Sequence, residues 1–147
     1  MKKEELLEEM ETSLEALIDE TERFSEEEFE TMLITGTWSA KEIMSHIAAW
    51  DSKFMGLSKT LLRGESIRFP NIDAFNAREV SKRCNMNRKE LIDEVRRTRR
   101  AYVVLLTDVP PEHIEKSKGT YTIGGLASII ISHDKYHLRQ LKARKTD

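Results

Sequence analysis

Three histidines stand where one metal ion could be held between them. His133 and His137 are four residues apart in a run where Leu126, Ile130 and Leu141 continue the same three- and four-residue spacing. One helical turn is a rise of roughly 6 Å, so two imidazole nitrogens can converge on one ion at about 2.0 to 2.2 Å each. An H-x-x-x-H pair also occurs on exposed helix faces or as satisfied core residues, because two ligands do not close a site. His46 supplies a third. It interrupts the apolar stripe of Ile43, Ile47, Trp50, Phe54, Leu57 and Leu61 just as the pair interrupts its own stripe. Burying three imidazoles without a shared partner costs free energy at each one, and a common metal accounts for all three. His113, beside Pro110 and Pro111, is outside any helical register with the others and reads as an exposed loop residue.

Three neutral imidazoles with an open coordination place favour a borderline divalent ion, zinc first with nickel or iron as alternatives, over magnesium or calcium, which prefer oxygen. The open place takes water or a thiol, which the metal activates for hydrolysis or nucleophilic transfer. Glu42, one turn before His46, and Asp134 and Gln140 near the pair are candidates for orienting an imidazole, surface ion pairing being the commoner use of such residues. Trp38 and Trp50 flank the first half of the His46 segment. Core anchoring and packing at the helix start are the usual roles of such tryptophans, and lining a pocket is the alternative. Asp73, Phe75 and Asn76 are placed to roof a cavity, with Asp73 also read as a helix cap.

The elements that position these residues are helical. Leu6, Met10, Leu14, Leu17 and Ile18 mark a first helix from about Glu4 to Thr21–Phe24. Ser25 with Glu28 predicts a capped short bridge, and Ser39 with Glu42 opens the second long helix, closed by Gly64. The next ten residues, GESIRFPNID, read as a crossover loop leading into a short helix with Phe75 and Val80. Asn87 with Glu90 opens a third long helix with Leu91, Val95, Tyr102 and Leu105 inward, ended by Pro110 and Pro111. Its arginines, Arg96, Arg97, Arg99 and Arg100, stand near Glu90, Asp93 and Glu94 and read as a solvated, ion-paired face rather than a phosphate patch. A fourth long helix runs from about Ile123 to Ala143. No strand-like alternation of useful length is seen.

The 147 residues suit one domain, 1–147, with a core that needs no staple. Twenty-four basic and 26 acidic residues leave a net charge of −2, no overall field to draw nucleic acid or an anionic membrane, so neither is expected as a partner. Cys84 is the only cysteine, which rules out an internal disulfide framework and fits a reducing cytoplasmic setting. The amino terminus lacks the apolar core of a signal peptide, and the longest late apolar stretch falls far short of the roughly 20 residues of a membrane span.

The string WSAKEIMSHIAAW from Trp38 to Trp50, followed by HDKYHLRQL from His133 to Leu141, resembles the DinB-like superfamily. DAFNA, from Asp73 to Ala77, is similar to its ClbS/DfsB-type branch. The resemblance implies an all-α, up-up-down-down four-helix bundle with a crossover after helix two, and a metal triad at His46, His133 and His137. It further implies a metal-dependent transferase of low-molecular-weight thiols or a hydrolase, acting on a small molecule such as a thiol or electrophile, and a homodimer. A non-catalytic, stress-related bundle and a metal-independent binder of an apolar or electrophilic small molecule stay open beside it, since fold alone does not choose chemistry.

Overall fold

The computed structural model describes residues 1–115, 117–118 and 121–146. Among them are six α-helices, α1 (Lys3–Thr21), α2 (Glu26–Thr31), α3 (Ala40–Leu62), α4 (Ile72–Lys82), α5 (Arg88–Thr107) and α6 (Ile123–Ala143), and one 3-10 turn at Pro111–His113. Three of them start at reciprocal capping boxes. Ser25, Ser39 and Asn87 each accept a hydrogen bond from the backbone of a glutamate three residues on, whose carboxylate accepts from the cap's own N–H. Ser39→Ala is therefore expected to lower stability by about 1 kcal/mol, read as a lower urea midpoint at unchanged slope. Gly64 closes α3 at φ 77°, where its amide reaches the Leu61 carbonyl at 2.9 Å.

Local differences from the sequence reading have local causes. α4 is capped by Asn71, whose Oδ1 accepts from the Ala74 N–H at 2.9 Å, while Asp73 lies exposed in the first turn. Both residues have capping side chains, and the helix begins at the earlier one, directly after Pro70. At the end of α5 the inward residue is Leu106, one turn beyond Tyr102, and Leu105 is half-exposed. A two-residue antiparallel pair, β1 (Ser117–Lys118) with β2 (Tyr121–Thr122), precedes α6 and is too short to leave a periodic signal.

α1, α3, α5 and α6 make the expected four-helix bundle. Its core has two apolar clusters, one at each end. The first joins Leu6 and Met10 to Leu57, Leu61, Tyr102, Leu106, Ile123 and Leu126. The second joins Leu14, Leu17 and Ile18 to Ile43, Ile47, Leu91, Val95 and Leu141. The starts of α1 and α6 thus meet the ends of α3 and α5, so the helices run up-down-down-up instead of the up-up-down-down order that the resemblance suggested. The crossover after helix two is where it was expected. α3 and α5 are packed parallel neighbours, and only that connection must return along the bundle, a path that α4 fills.

A buried polar layer separates the two clusters and corrects the reading of the α5 arginines. Arg99 is 2% exposed. It donates to Asp51 of α3 at 2.9 and 3.0 Å, to Asp134 of α6 at 2.7 and 3.1 Å, and to the Met10 carbonyl of α1 at 2.6 Å. Ser13 Oγ donates to Asp134 at 2.6 Å. Arg96 and Arg100 are ion-paired at the surface as expected, but to Glu15 and Glu11 of α1, while Asp93 pairs with Lys89 and Glu94 with Arg83. Among the described residues no helix is long and apolar enough to cross a membrane.

Candidate metal centre and adjoining cavity

The antiparallel packing of α3 on α6 sets His46, in the first half of one helix, against His133 and His137, in the second half of the other. Nε2 of His46 lies 2.7 Å from Nε2 of His133, which lies 3.0 Å from Nε2 of His137. The three donor nitrogens fall within 4.8 Å of one another. All three spaced histidines of the sequence are therefore brought to one point, and His113 is left exposed in its turn.

The second ring nitrogens face amide oxygens. Nδ1 of His46 stands 3.1 Å from Asn76 Oδ1, and Nδ1 of His137 stands 2.6 Å from Gln140 Oε1. Nδ1 of His46 then carries the ring proton, as does Nδ1 of His137 for this orientation of the Gln140 amide, and their Nε2 atoms keep their lone pairs. His133 Nε2–H can donate to only one of those two lone pairs, which leaves the other without a donor; with its proton on Nδ1 instead, three lone pairs face one another. A cation among them would satisfy all three, and the 2.7 and 3.0 Å separations from His133 to its two neighbours are close to those of ligands that each sit about 2.0–2.1 Å from a tetrahedral ion. The donor set therefore fits a borderline divalent metal.

Burial favours the neutral rings. His46 is pushed down to about 3 by its removal from water and by His137; His133 is pushed down by burial and by its two neighbouring imidazoles, and His137 falls by burial alone. In the metal-free protein the sign of the pH effect follows. The unfolded chain takes up protons below about pH 6.5 and the folded chain does not, so this contribution is intact above that pH and is lost as the pH falls toward about 3. The urea midpoint of metal-free protein is expected to drop between pH 7 and 5, with a flatter profile in His133→Gln.

Other predicted residues take different places. Gln140 meets His137, while Glu42 completes the Ser39 capping box and Asp134 belongs to the Arg99 layer. Trp38 packs its ring on His46 at 4.7 Å. Trp50 lines a cavity and is covered by Phe75 at 4.5 Å. That cavity, about 530 Å³, opens beside His46 and His133. Phe54, Phe69 and Tyr121 continue its aromatic wall, with Ile72, Ile129 and Ile130 completing it. Phe69, Tyr121 and Ile129 were not singled out in the sequence. The available sign was apolar residues off the buried stripe: Ile129 is 44% exposed, and Ile72 is 56% exposed at the same rim.

No curated protein matches the chain. Among solved structures it is similar in fold to DfsB, described as a sibling lethal factor precursor, at 15% identity and a TM-score of 0.82 over 97% of this chain and 94% of that one. It is similar to ClbS, the colibactin self-resistance protein, at 16% identity and a TM-score of 0.84 over 97% and 94%. A Streptococcus pneumoniae protein gives 11% identity and a TM-score of 0.83 over 97% and 90%. The ClbS structure is a complex with double-stranded DNA, which overturns the exclusion of nucleic acid drawn from a net charge of −2. Net charge is a sum over the whole surface, whereas phosphate contact is decided by local placement of cations. The sequence model of the DinB superfamily matches residues 3–141, a span that includes both histidine-bearing helices and the crossover between them, and the chain therefore belongs to the DinB superfamily.

Proposed function

We propose that this protein is a metal-dependent enzyme that transfers a low-molecular-weight thiol to, or hydrolyses, a small molecule held beside His46 and His133. The observation that carries the reading is the convergence of three Nε2 atoms at the wall of an open apolar cavity. Zinc is the first candidate, with nickel or iron as alternatives, held by His46, His133 and His137. A metal of this kind acidifies a water or thiol at its open coordination place. The chain's own contribution is positional. His46 and His133 border the cavity, so a bound molecule lies against the same imidazoles, and Trp50, Phe54 and Phe69 keep water from its apolar body. We read residues 1–147 as one domain, because all four long helices contribute to both core clusters, and as cytoplasmic, with Cys84 a free, exposed thiol.

The test is a turnover assay on protein loaded with zinc, nickel or iron, using a chromogenic aryl electrophile with a small thiol, and an aryl ester without one. Turnover that needs the metal and is abolished by chelator is expected in one of the two assays. If the loaded protein turns over neither, while a His46→Ala/His133→Ala/His137→Ala variant still retains an apolar ligand, the protein is a metal-independent binder. Because ClbS is solved on DNA, a duplex titration at two salt concentrations belongs beside the assay, and affinity that falls steeply with salt would add DNA as a partner.

A further inference from the structure

Which nitrogen His46 offers to its neighbours is decided outside the four-helix frame. The indole Nε1–H of Trp50 can only donate, and it lies 2.7 Å from the side-chain oxygen position of Asn76 on α4. The amide end that meets it must therefore be the carbonyl, which fixes the orientation of Asn76. That same oxygen stands 3.1 Å from Nδ1 of His46. A carbonyl oxygen has two lone pairs and here meets two ring N–H groups, so the His46 proton is held on Nδ1 and the lone pair on Nε2. Nε2 is the atom that points at His133, 2.7 Å away. Phe75, next to Asn76, packs on Trp50 at 4.5 Å and ties α4 to α3 at this point. Gln140 faces His137 in a similar way, but no indole fixes its amide, which can turn end for end.

We propose that Asn76, oriented by Trp50, is the positioning residue of the site: it holds His46 in the Nδ1–H tautomer so that Nε2 is always the free donor. This rests on the metal reading above for its purpose, but the tautomer itself is a property of the metal-free protein.

The experiment is long-range proton–nitrogen NMR of the imidazoles in metal-free protein at neutral pH, beside zinc affinity measured against a competing chelating dye. Wild type is expected to show His46 wholly as Nδ1–H. Asn76→Leu should give mixed or Nε2–H tautomers and bind zinc about 10- to 100-fold more weakly. Asn76→Asp keeps an acceptor oxygen for both donors and should retain the tautomer, with zinc affinity within about threefold of wild type or tighter. Trp50→Phe keeps an aromatic ring and deletes the N–H, so it should loosen the tautomer with Asn76 in place, and it carries the test if Asn76→Leu does not fold. An unchanged His46 tautomer in Asn76→Leu, or a loss in Asn76→Asp as large as in Asn76→Leu, overturns the proposal. A changed tautomer in a protein that binds no zinc in any form would leave the lock standing and remove the metal reading instead.

Discussion

Tag-free protein purified without chelator or metal resin is expected to carry about one equivalent of zinc, nickel or iron, and His46→Ala, His133→Ala and His137→Ala are each expected to lose it. Each imidazole contributes one of three converging nitrogens, and the two that remain do not close a site. Stability should move in opposite directions with and without the ion. In metal-free protein, alanine thins a crowded set of Nε2 atoms in which at least one lone pair has no donor, so these variants should unfold no earlier than wild type. With metal present, wild type alone should gain stability as the free ion concentration rises. Elemental analysis and urea denaturation at two metal concentrations read both effects. Metal absent from all four proteins, with the bundle folded and reconstitution failing, would remove the enzyme reading and leave the non-catalytic one.

The largest loss of stability is expected from Arg99→Met, about 3–5 kcal/mol, because it leaves two carboxylates buried without their cation. Asp51 and Asp134 are both fully buried at the middle of the bundle, and Arg99 supplies hydrogen bonds to all four of their oxygens. A typical domain is stable by only about 5–15 kcal/mol, so the variant would lose a large share of the total. Arg99→Met/Asp51→Leu/Asp134→Leu is the control. It replaces the whole charged set by apolar side chains of comparable size, and most of the stability should return. Urea midpoints decide the matter: a cost under about 1 kcal/mol for Arg99→Met would show that water or rearrangement satisfies the two carboxylates.

Much of this could be read in the chain before any coordinates. Three caps were visible because a Ser or Asn followed three residues later by Glu is a local pattern with a local cause. The histidines were visible because a polar residue in an apolar stripe stands out. The Arg99 layer carried the same kind of signal. Arg99 continues the step from Val95 to Tyr102, Asp51 the step from Ile47 to Phe54, and Asp134 the step from Ile130 to Leu141. Four arginines in five positions hide it, since together they read as one charged face, whereas helical phase separates Arg99 from its neighbours. The senses of the helices were not legible at all. They depend on which ends meet, and that is settled by contacts between residues far apart in sequence, such as Lys3 with the Thr107 and Val109 carbonyls at 2.7 Å. The cavity was half legible, since Phe69 and Tyr121 belong to connections whose positions follow from no periodicity.

The stretch between α3 and α5 has a consequence for how such proteins diverge. The four-helix frame and its buried ion pairs decide whether the chain folds, and α4 adds only Phe75 to that core, yet this connection brings Phe69, Ile72 and Asn76 to the cavity and the histidines. Mutations that would be lethal in the frame can accumulate here at little risk to folding. Descendants of one ancestral bundle could keep the same three imidazoles and meet different molecules by rewriting some two dozen residues, which makes this connection the place to look first when two relatives share a fold and little else.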